Sequence, residues 1–160
     1  MKMLDDLLAE SQAENVQVVE YPFKTIRLKG LYCDGVITIN QAAKLNTVEK
    51  TCVIAEELGH HHTTQGVILD QSKILHRQKE RLARQWAYER LVPLERFVDV
   101  FHARIKEKHE VAEFLGVTEA FLLDLIARYK EIYGQFAFIN NRYIVSFEPL
   151  SVIEILNWEE

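Results

Sequence analysis

The segment CVIAEELGHHHTT, residues 52–64, decides how the rest of this chain is interpreted. It is close to His-Glu-x-x-His, the signature of zinc-dependent proteases, but a glutamate stands where the first histidine belongs. Neighbouring glutamates inside an apolar segment are costly unless a partner compensates their charge. The segment therefore predicts either a variant metal site or a polar helix end at the protein surface.

The residues around this segment predict a helix from about Thr47 to Thr63. Asn46 and Glu49 have the spacing of a capping box, and Gly66 interrupts the helical pattern. At about 100° per residue, the apolar side chains surround the whole helix, so we expect it to be largely buried. These residues are Val48, Cys52, Val53, Ile54, Ala55 and Leu58, with Cys52 expected as a buried apolar residue and not as a ligand.

Three polar residues of this helix fall within one arc of about 100°. Glu56 and His60 are spaced so that both could bind one divalent cation. Glu57 would stand beside it, able to accept a proton from water that the cation activates. His61 lies about 100° from His60 and His62 about 160°, so neither is expected as a ligand. His61 is instead expected to support the site from outside, contact substrate or meet solvent.

Residues 73–91, KILHRQKERLARQWAYERL, predict a second helix that Pro93 terminates. Its predicted apolar face consists of Leu75, Leu82, Ala83, Trp86, Ala87 and Leu91. Glu80 falls at the edge of this face, and His76 lies one turn earlier as a further residue for support of the site or substrate contact. Because an inward glutamate is unusual without a partner, Glu80 is either paired with an arginine or a third metal ligand.

These motifs resemble those of the ImmA/IrrE family of zincin-like metallo-endopeptidases. The resemblance extends over GVITIN, AEELGHHHTT, ERLARQWAYERLVP and VAEFLGVTEAFLLDLIARYKEIYG. The family pattern is His-Glu-x-x-His followed by Glu-x-x-Ala-Asp on the next helix. Here Glu56 replaces the first histidine and Arg84 replaces the aspartate, and EELGH is a form found in the phage and mobile-element branch. The resemblance implies that Glu57 is the general base and that Glu56, His60 and Glu80 are metal ligands.

The resemblance also implies a cofactor and a substrate. The cofactor is Zn²⁺, with Mn²⁺ as an alternative because two carboxylates and one imidazole favour harder cations more than an all-nitrogen site does. The same negative charge should leave activated water less acidic, so activity could be low or conditional. The implied substrate is a specific protein, a helix-turn-helix transcriptional repressor of a phage or mobile element. The alternative is a non-catalytic antirepressor that binds the repressor on the same scaffold.

We predict an α+β fold with two regions. Residues 1–95 form a zincin-like metallopeptidase core, a small sheet plus the active-site helices, and residues 96–160 form a helical region with a terminal β-hairpin, packed on the core. The core starts with a helix over 2–13, a strand in VQVVEYPF and a glycine-punctuated loop before the strand GVITIN. Under the resemblance, GVITIN is an edge strand that binds an extended peptide, and the alternative is an ordinary interior strand. FAFINNRYIVSF predicts the hairpin, which turns at Asn140–Asn141.

Composition and charge exclude several classes of protein. The chain is 48% hydrophobic, enough for a core, but it contains no apolar run approaching the roughly 18 residues that span a membrane. Two cysteines make no disulfide framework and the N-terminus has no signal-peptide pattern, so we expect a cytoplasmic protein. A net charge of -5 argues against broad binding of phosphate.

The segment His109–Tyr133 has the spacing of a helix-turn-helix, the DNA-binding motif. Its second helix should then place polar and basic side chains in a DNA groove. Glu119 and Asp124 instead lie near the start of that helix, where they would repel phosphate. We therefore expect a helical pair that packs on the core or receives a protein partner, without direct binding of nucleic acid.

Overall fold

The computed structural model describes residues 2–63 and 73–156, so the predicted break at Gly66 lies outside the described residues. The chain divides into two compact units, Met1–Leu91 and Val92–Glu160. Both units combine helices with a small three-stranded sheet, which confirms the predicted α+β fold. None of the helices within the described residues is long and apolar enough to cross a membrane.

The first unit contains three helices and the first sheet. In chain order its elements are α1 (Lys2–Ala13), β1 (Gln17–Tyr21), β2 (Gly30–Cys33), β3 (Val36–Asn40), a short 3-10 helix (Gln41–Ala43), α2 (Thr47–Thr63) and α3 (Lys73–Leu91). All three helices occupy the ranges that the sequence predicted. The start of α2 is the predicted capping box, since Asn46 and Glu49 each accept a hydrogen bond from the other's backbone amide, at 2.9 and 2.8 Å.

The sheet of the first unit corrects two predictions. Strand β3 lies in the middle, parallel to β1 and antiparallel to β2. GVITIN is therefore an interior strand and not the edge strand that the resemblance implied. GLYC, expected as a loop, is the edge strand β2, joined to β3 through Asp34 and Gly35 with φ of 45° and 78°. This Asp-Gly pair is a two-residue hairpin signal, and it marks the turn that the sequence interpretation missed.

Helix α2 packs against α1, α3, β2 and β3, which explains its apolar circumference. Cys52, Ile54 and Leu58 are 6%, 2% and 0% exposed, so the predicted burial holds in the middle of the helix, whereas Val48 in its first turn is 37% exposed. The predicted apolar face of α3 is wrong at Leu82, which is 51% exposed. The buried seam of α3 is narrow, and it consists of Ala83, Ala87, Tyr88 and Leu91.

The second unit contains three helices and an antiparallel sheet: α4 (Arg96–His102), α5 (Lys108–Leu115), α6 (Glu119–Tyr133), β4 (Phe136–Ile139), β5 (Tyr143–Phe147) and β6 (Leu150–Glu154). The predicted hairpin is confirmed, because Asn140 and Asn141 have φ of 54° and 55°, as a type I′ turn requires. Strand β6 pairs with β5, so the terminal element is a three-stranded sheet and not a hairpin alone.

Candidate metal centre

Helices α2 and α3 cross at Gly59 and Ala83 with almost no side chain between them. A Cβ atom placed on Gly59 would overlap the Ala83 carbonyl group, coming within 2.8 Å of its carbon. The two backbones can approach this closely only because one residue is glycine and the other is alanine. His60 directly follows Gly59, and Glu80 lies about one turn before Ala83. The crossing therefore determines that the side chains of His60 and Glu80 meet.

His60 and Glu80 form a hydrogen-bonded pair. Their Nε2 and Oε1 atoms are 3.2 Å apart, and the side chains are 20% and 37% exposed. This hydrogen bond is the main cause that raises the pKa of His60 above its usual value and lowers the pKa of Glu80. The charges of Arg84 and His76 lower the pKa of Glu80 further. The two shifts agree in favouring an imidazolium paired with a carboxylate.

Glu57 lies on α2 where this helix meets the edge strand β2. A Cβ atom on Gly30 would overlap Cγ1 of Val53 at 2.5 Å and would lie 3.3 Å from Oε1 of Glu57, so glycine lets α2 approach β2 at this point. Burial raises the pKa of Glu57 from 4.5 to about 7; the charge of His60 and the backbone amide of Tyr32 lower it, and the negative charges of Glu56 and Glu80 raise it. A carboxyl group with this pKa can both accept and release a proton near neutral pH.

The amide of Tyr32 reaches Glu57 because of the register of the sheet. The amide of Asn40 donates to the carbonyl oxygen of Lys29, at 2.9 Å. Hydrogen-bonded and non-hydrogen-bonded pairs alternate along an antiparallel ladder. Tyr32 and Ile37 therefore form a non-hydrogen-bonded pair, and the backbone amide of Tyr32 points away from β3. The hairpin that sequence interpretation missed thus supplies a donor to the candidate general base.

Glu56 lies within electrostatic range of the same groups. Its negative charge raises the pKa of both Glu57 and His60. The predicted ligand set of Glu56, His60 and Glu80 is not among the described groups of three whose ligand atoms all lie within 4.8 Å of one another. The structure instead brings His60 and Glu80 into direct contact and leaves Glu56 beside them.

The donor types around His60 nevertheless suit a divalent cation. Three carboxylates, those of Glu56, Glu57 and Glu80, interact with the one imidazole of His60. Even with His60 and Glu57 both protonated, the group keeps a net negative charge. Carboxylate oxygens and neutral imidazole are ordinary zinc ligands, and a dication that replaces the His60 proton would neutralise this charge.

The other two histidines of α2 turn toward α1 and β2. His61 contacts the Tyr32 hydroxyl through Nδ1 at 2.8 Å and Oε2 of Glu14 through Nε2 at 3.2 Å. Nε2 of His62 also lies 3.2 Å from this oxygen, and its ring stacks on Trp86 with centroids 4.5 Å apart. Sequence interpretation missed Glu14 because its partners lie far along the chain, and no local pattern indicates which face of α2 the helix α1 covers.

Comparison with known protein families gives one match. The family model described as the IrrE N-terminal-like domain, Peptidase_M78, matches residues 11–125. The matched range contains both α2 and α3, and therefore all four residues of the candidate centre, Glu56, Glu57, His60 and Glu80. No curated protein matches the chain.

Proposed function

Because the chain belongs to the IrrE N-terminal-like family, a metallopeptidase-like family that acts on protein targets, we propose that it is a metal-dependent endopeptidase. The observation that carries this proposal is the contact between His60 and Glu80 at 3.2 Å beside the half-buried Glu57. A merely structural ion pair would need no third acid held near it at the cost of burial. A proton-transferring group next to metal-ligating groups is what peptide hydrolysis needs.

The proposed ligands are Glu56, His60 and Glu80, with Zn²⁺ as the first candidate ion and Mn²⁺ as the second. When bound, such an ion would polarise the substrate carbonyl group and make water more acidic. His60 would have to be neutral to hold the ion, so the proton that it shares with Glu80 would have to leave, and both groups could then serve as ligands. The crossing at Gly59 keeps the two side chains close enough for both to bind the same ion.

Glu57 is the proposed general base. It takes a proton from the water molecule that attacks the peptide carbonyl carbon, and a C–O bond forms. It then delivers that proton to the amide nitrogen as the C–N bond breaks, which gives a free carboxylate and amine. The Tyr32 amide orients the Glu57 carboxylate for this transfer by donating a hydrogen bond to it.

The proposed substrate is a helix-turn-helix transcriptional repressor of a phage or mobile element, which the chain would cleave at a specific bond. Support comes from the resemblance of AEELGHHHTT to the EELGH form of the phage and mobile-element branch. Cleavage of a repressor would release the genes that it silences.

The substitution Glu57→Gln tests the proposal on the purified protein and a repressor encoded beside its gene. Glutamine preserves size and can still accept from the Tyr32 amide, but it cannot take a proton. Loss of a general base reduces rates on the order of 10²–10⁴-fold. We expect cleavage fragments to disappear while binding of the repressor and the metal content persist. Glu113→Gln is the matched control, because Glu113 is an exposed glutamate of α5, and it should cleave normally.

A second function is favoured by two observations: Glu56 stands where the family pattern has its first histidine, and His60 is already hydrogen-bonded to Glu80. The scaffold would then act as an antirepressor that binds the repressor without cleaving it. If Glu57→Gln inactivates the repressor in cells as well as the wild type does, and the wild type yields no fragments, this binding function replaces the enzymatic one.

A further inference from the structure

A second group of ligand-type side chains lies where the C-terminal end of α2 meets the end of α1. Glu10, Glu14 and His62 each offer one ligand atom, and these atoms all lie within 4.8 Å of one another. We propose that these three residues bind a second divalent transition-metal ion, separate from the centre around His60. Its role is to fasten α1 to the end of α2 that carries the active-site residues, and it does not depend on the proposed peptidase activity.

The spacing of this group suits a single ion. Ligands at about 2.0–2.1 Å in a tetrahedral site are separated from one another by about 3.4 Å. His62 Nε2 and Glu14 Oε2 are already 3.2 Å apart. His61 Nε2 lies at the same distance from this oxygen and could complete the site as a further nitrogen donor. An ion would therefore need only small shifts of side chains that already face one another.

Each of the two helices presents its donors for a local reason. Glu10 and Glu14 are four residues apart at the end of α1, so they lie on one face, and the Glu14 amide donates to the Glu10 carbonyl at 3.1 Å. Asn15 then turns the chain away with φ of 59°. On α2, His61 and His62 directly follow His60, and both place Nε2 3.2 Å from Oε2 of Glu14.

Neighbouring side chains orient the donors, as the outer partners of metal ligands do in known sites. Arg90 donates to Oε2 of Glu10 at 2.9 Å, and this bond leaves other acceptor sites on the carboxylate because both oxygens accept. The Tyr32 hydroxyl contacts Nδ1 of His61 at 2.8 Å, so Nε2 is the nitrogen turned toward Glu14. His62 is held by stacking on Trp86.

The donor chemistry favours zinc-like ions over calcium or magnesium, because imidazole nitrogen suits Zn²⁺, Co²⁺ and Ni²⁺ whereas the harder ions prefer oxygen alone. The side chains of Glu10, Glu14 and His62 are 25%, 32% and 28% exposed. An ion can therefore reach the group from solvent, and a water molecule can fill a remaining position.

The proposal is tested by the zinc content of a double variant, His60→Ala with Glu80→Gln. These substitutions disable the centre around His60, so zinc that remains bound can be assigned to the second group. After dialysis against Zn²⁺, the folded variant should retain about one equivalent, and Zn²⁺ should raise its melting temperature by a few degrees. Adding His62→Ala or, separately, the size-conserving Glu14→Gln should remove both effects. His109→Ala is the control, because His109 is an exposed histidine of α5, and it should change neither.

Two results would overturn the second site. One is a double variant that folds, as judged by circular dichroism, but retains no Zn²⁺ and shows no thermal shift. The other is retention of the same zinc content after both His62→Ala and Glu14→Gln. Either result would show that Glu14 and the histidines form a metal-free polar contact. Neither bears on the peptidase proposal, because the double variant already lacks His60 and Glu80, two of the three proposed active-site ligands.

Discussion

Two of the helix pairs among the described residues, α2 with α3 and α5 with α6, use glycine in different ways. In the pair α2 and α3, Gly59 lies inside a helix and lets the two backbones approach at Ala83. In the pair α5 and α6, Gly116 ends the first helix with φ of 73°, and Thr118 caps the second by accepting from the Phe121 amide at 3.1 Å. The first glycine serves packing between helices, whereas the second serves the turn between them.

The same two helix pairs also differ in where their charged side chains lie. The close crossing of α2 and α3 brings His60 and Glu80 into a hydrogen bond that raises the pKa of His60 and lowers that of Glu80. Burial raises the pKa of the neighbouring Glu57. On α6, Leu122 and Leu125 are buried, whereas the acidic residues near its start are exposed. Perturbed pKa values concentrate at functional sites, so the pair α2 and α3 is the candidate for chemistry. The pair α5 and α6 leaves its acidic residues in solvent and also exposes Phe114 and Leu123, at 40% and 43%.

The largest expected effect comes from His60→Ala, which removes a proposed ligand and the partner of Glu80. Metal affinity should fall by more than the roughly 100-fold that loss of an outer partner can cause, and repressor cleavage should fall with it. Equilibrium dialysis with Zn²⁺ and a fragment assay measure the two losses. Normal cleavage by metal-depleted His60→Ala would mean that cleavage does not depend on the residues that the crossing of α2 and α3 brings together.

Two glycine-to-alanine substitutions compare the two helix pairs by the loss in free energy of unfolding that each causes. Gly59→Ala places a methyl group against the backbone of Ala83 and should reduce the free energy of unfolding on the order of 3 kcal/mol. Gly116→Ala only forces alanine into the left-handed region, at a cost of about 1 kcal/mol. Urea unfolding of both variants measures the difference. Equal costs would mean that the helices α2 and α3 can separate easily.

A smaller effect is expected from Glu57→Gln on the stability of the metal-free protein. The folded pKa of about 7 exceeds the unfolded value of 4.5, so between these pH values the folded state binds a proton that the unfolded state lacks. Ionising Glu57 therefore lowers the free energy of unfolding as pH rises through this window. Glutamine does not titrate, so the variant should gain stability relative to the wild type, on the order of 2 kcal/mol above pH 7.

Urea unfolding in the presence of a chelator, from pH 4.5 to 8, measures this gain. The difference between variant and wild type should shrink toward pH 4.5, whereas the exposed control Glu113→Gln should show no such trend. If the difference in free energy of unfolding stays constant with pH, burial does not raise the pKa of Glu57. The pair α2 and α3 would then differ from α5 and α6 in packing but not in the electrostatics of Glu57.

Sequence patterns predicted the parts of the fold that depend on local chemistry. The capping box at Asn46 set the start of α2, and Asn140–Asn141 marked the turn between β4 and β5. The missed strand β2 is short and lacks a strong alternation, although Asp34–Gly35 marks its turn. The order of strands in the sheet depends on contacts between distant segments, which no local pattern encodes. For this reason the sequence did not show that GVITIN is the central strand.

The candidate site divides in the same way. Helical spacing placed Glu56, Glu57 and His60 on one arc, and the resemblance to a family added Glu80 from the next helix. The contribution of Tyr32 could not be foreseen, because it depends on the register of a strand that was expected to be a loop. The approach of Glu14 to the end of α2 was equally hidden, since it requires knowing how α1 packs.

A crystal structure of the zinc-loaded protein, with anomalous scattering measured at the zinc edge, would show whether Glu56, His60 and Glu80 bind one ion. The variant Glu14→Gln with His62→Ala should be used, so that the proposed second site cannot contribute a peak. We expect an anomalous peak within about 2.0–2.2 Å of a His60 nitrogen and of Glu56 and Glu80 oxygens. We also expect that His60 and Glu80 are no longer hydrogen-bonded to each other. A zinc-saturated crystal without a peak at these residues, and with His60 still bonded to Glu80, would contradict the proposed metal centre.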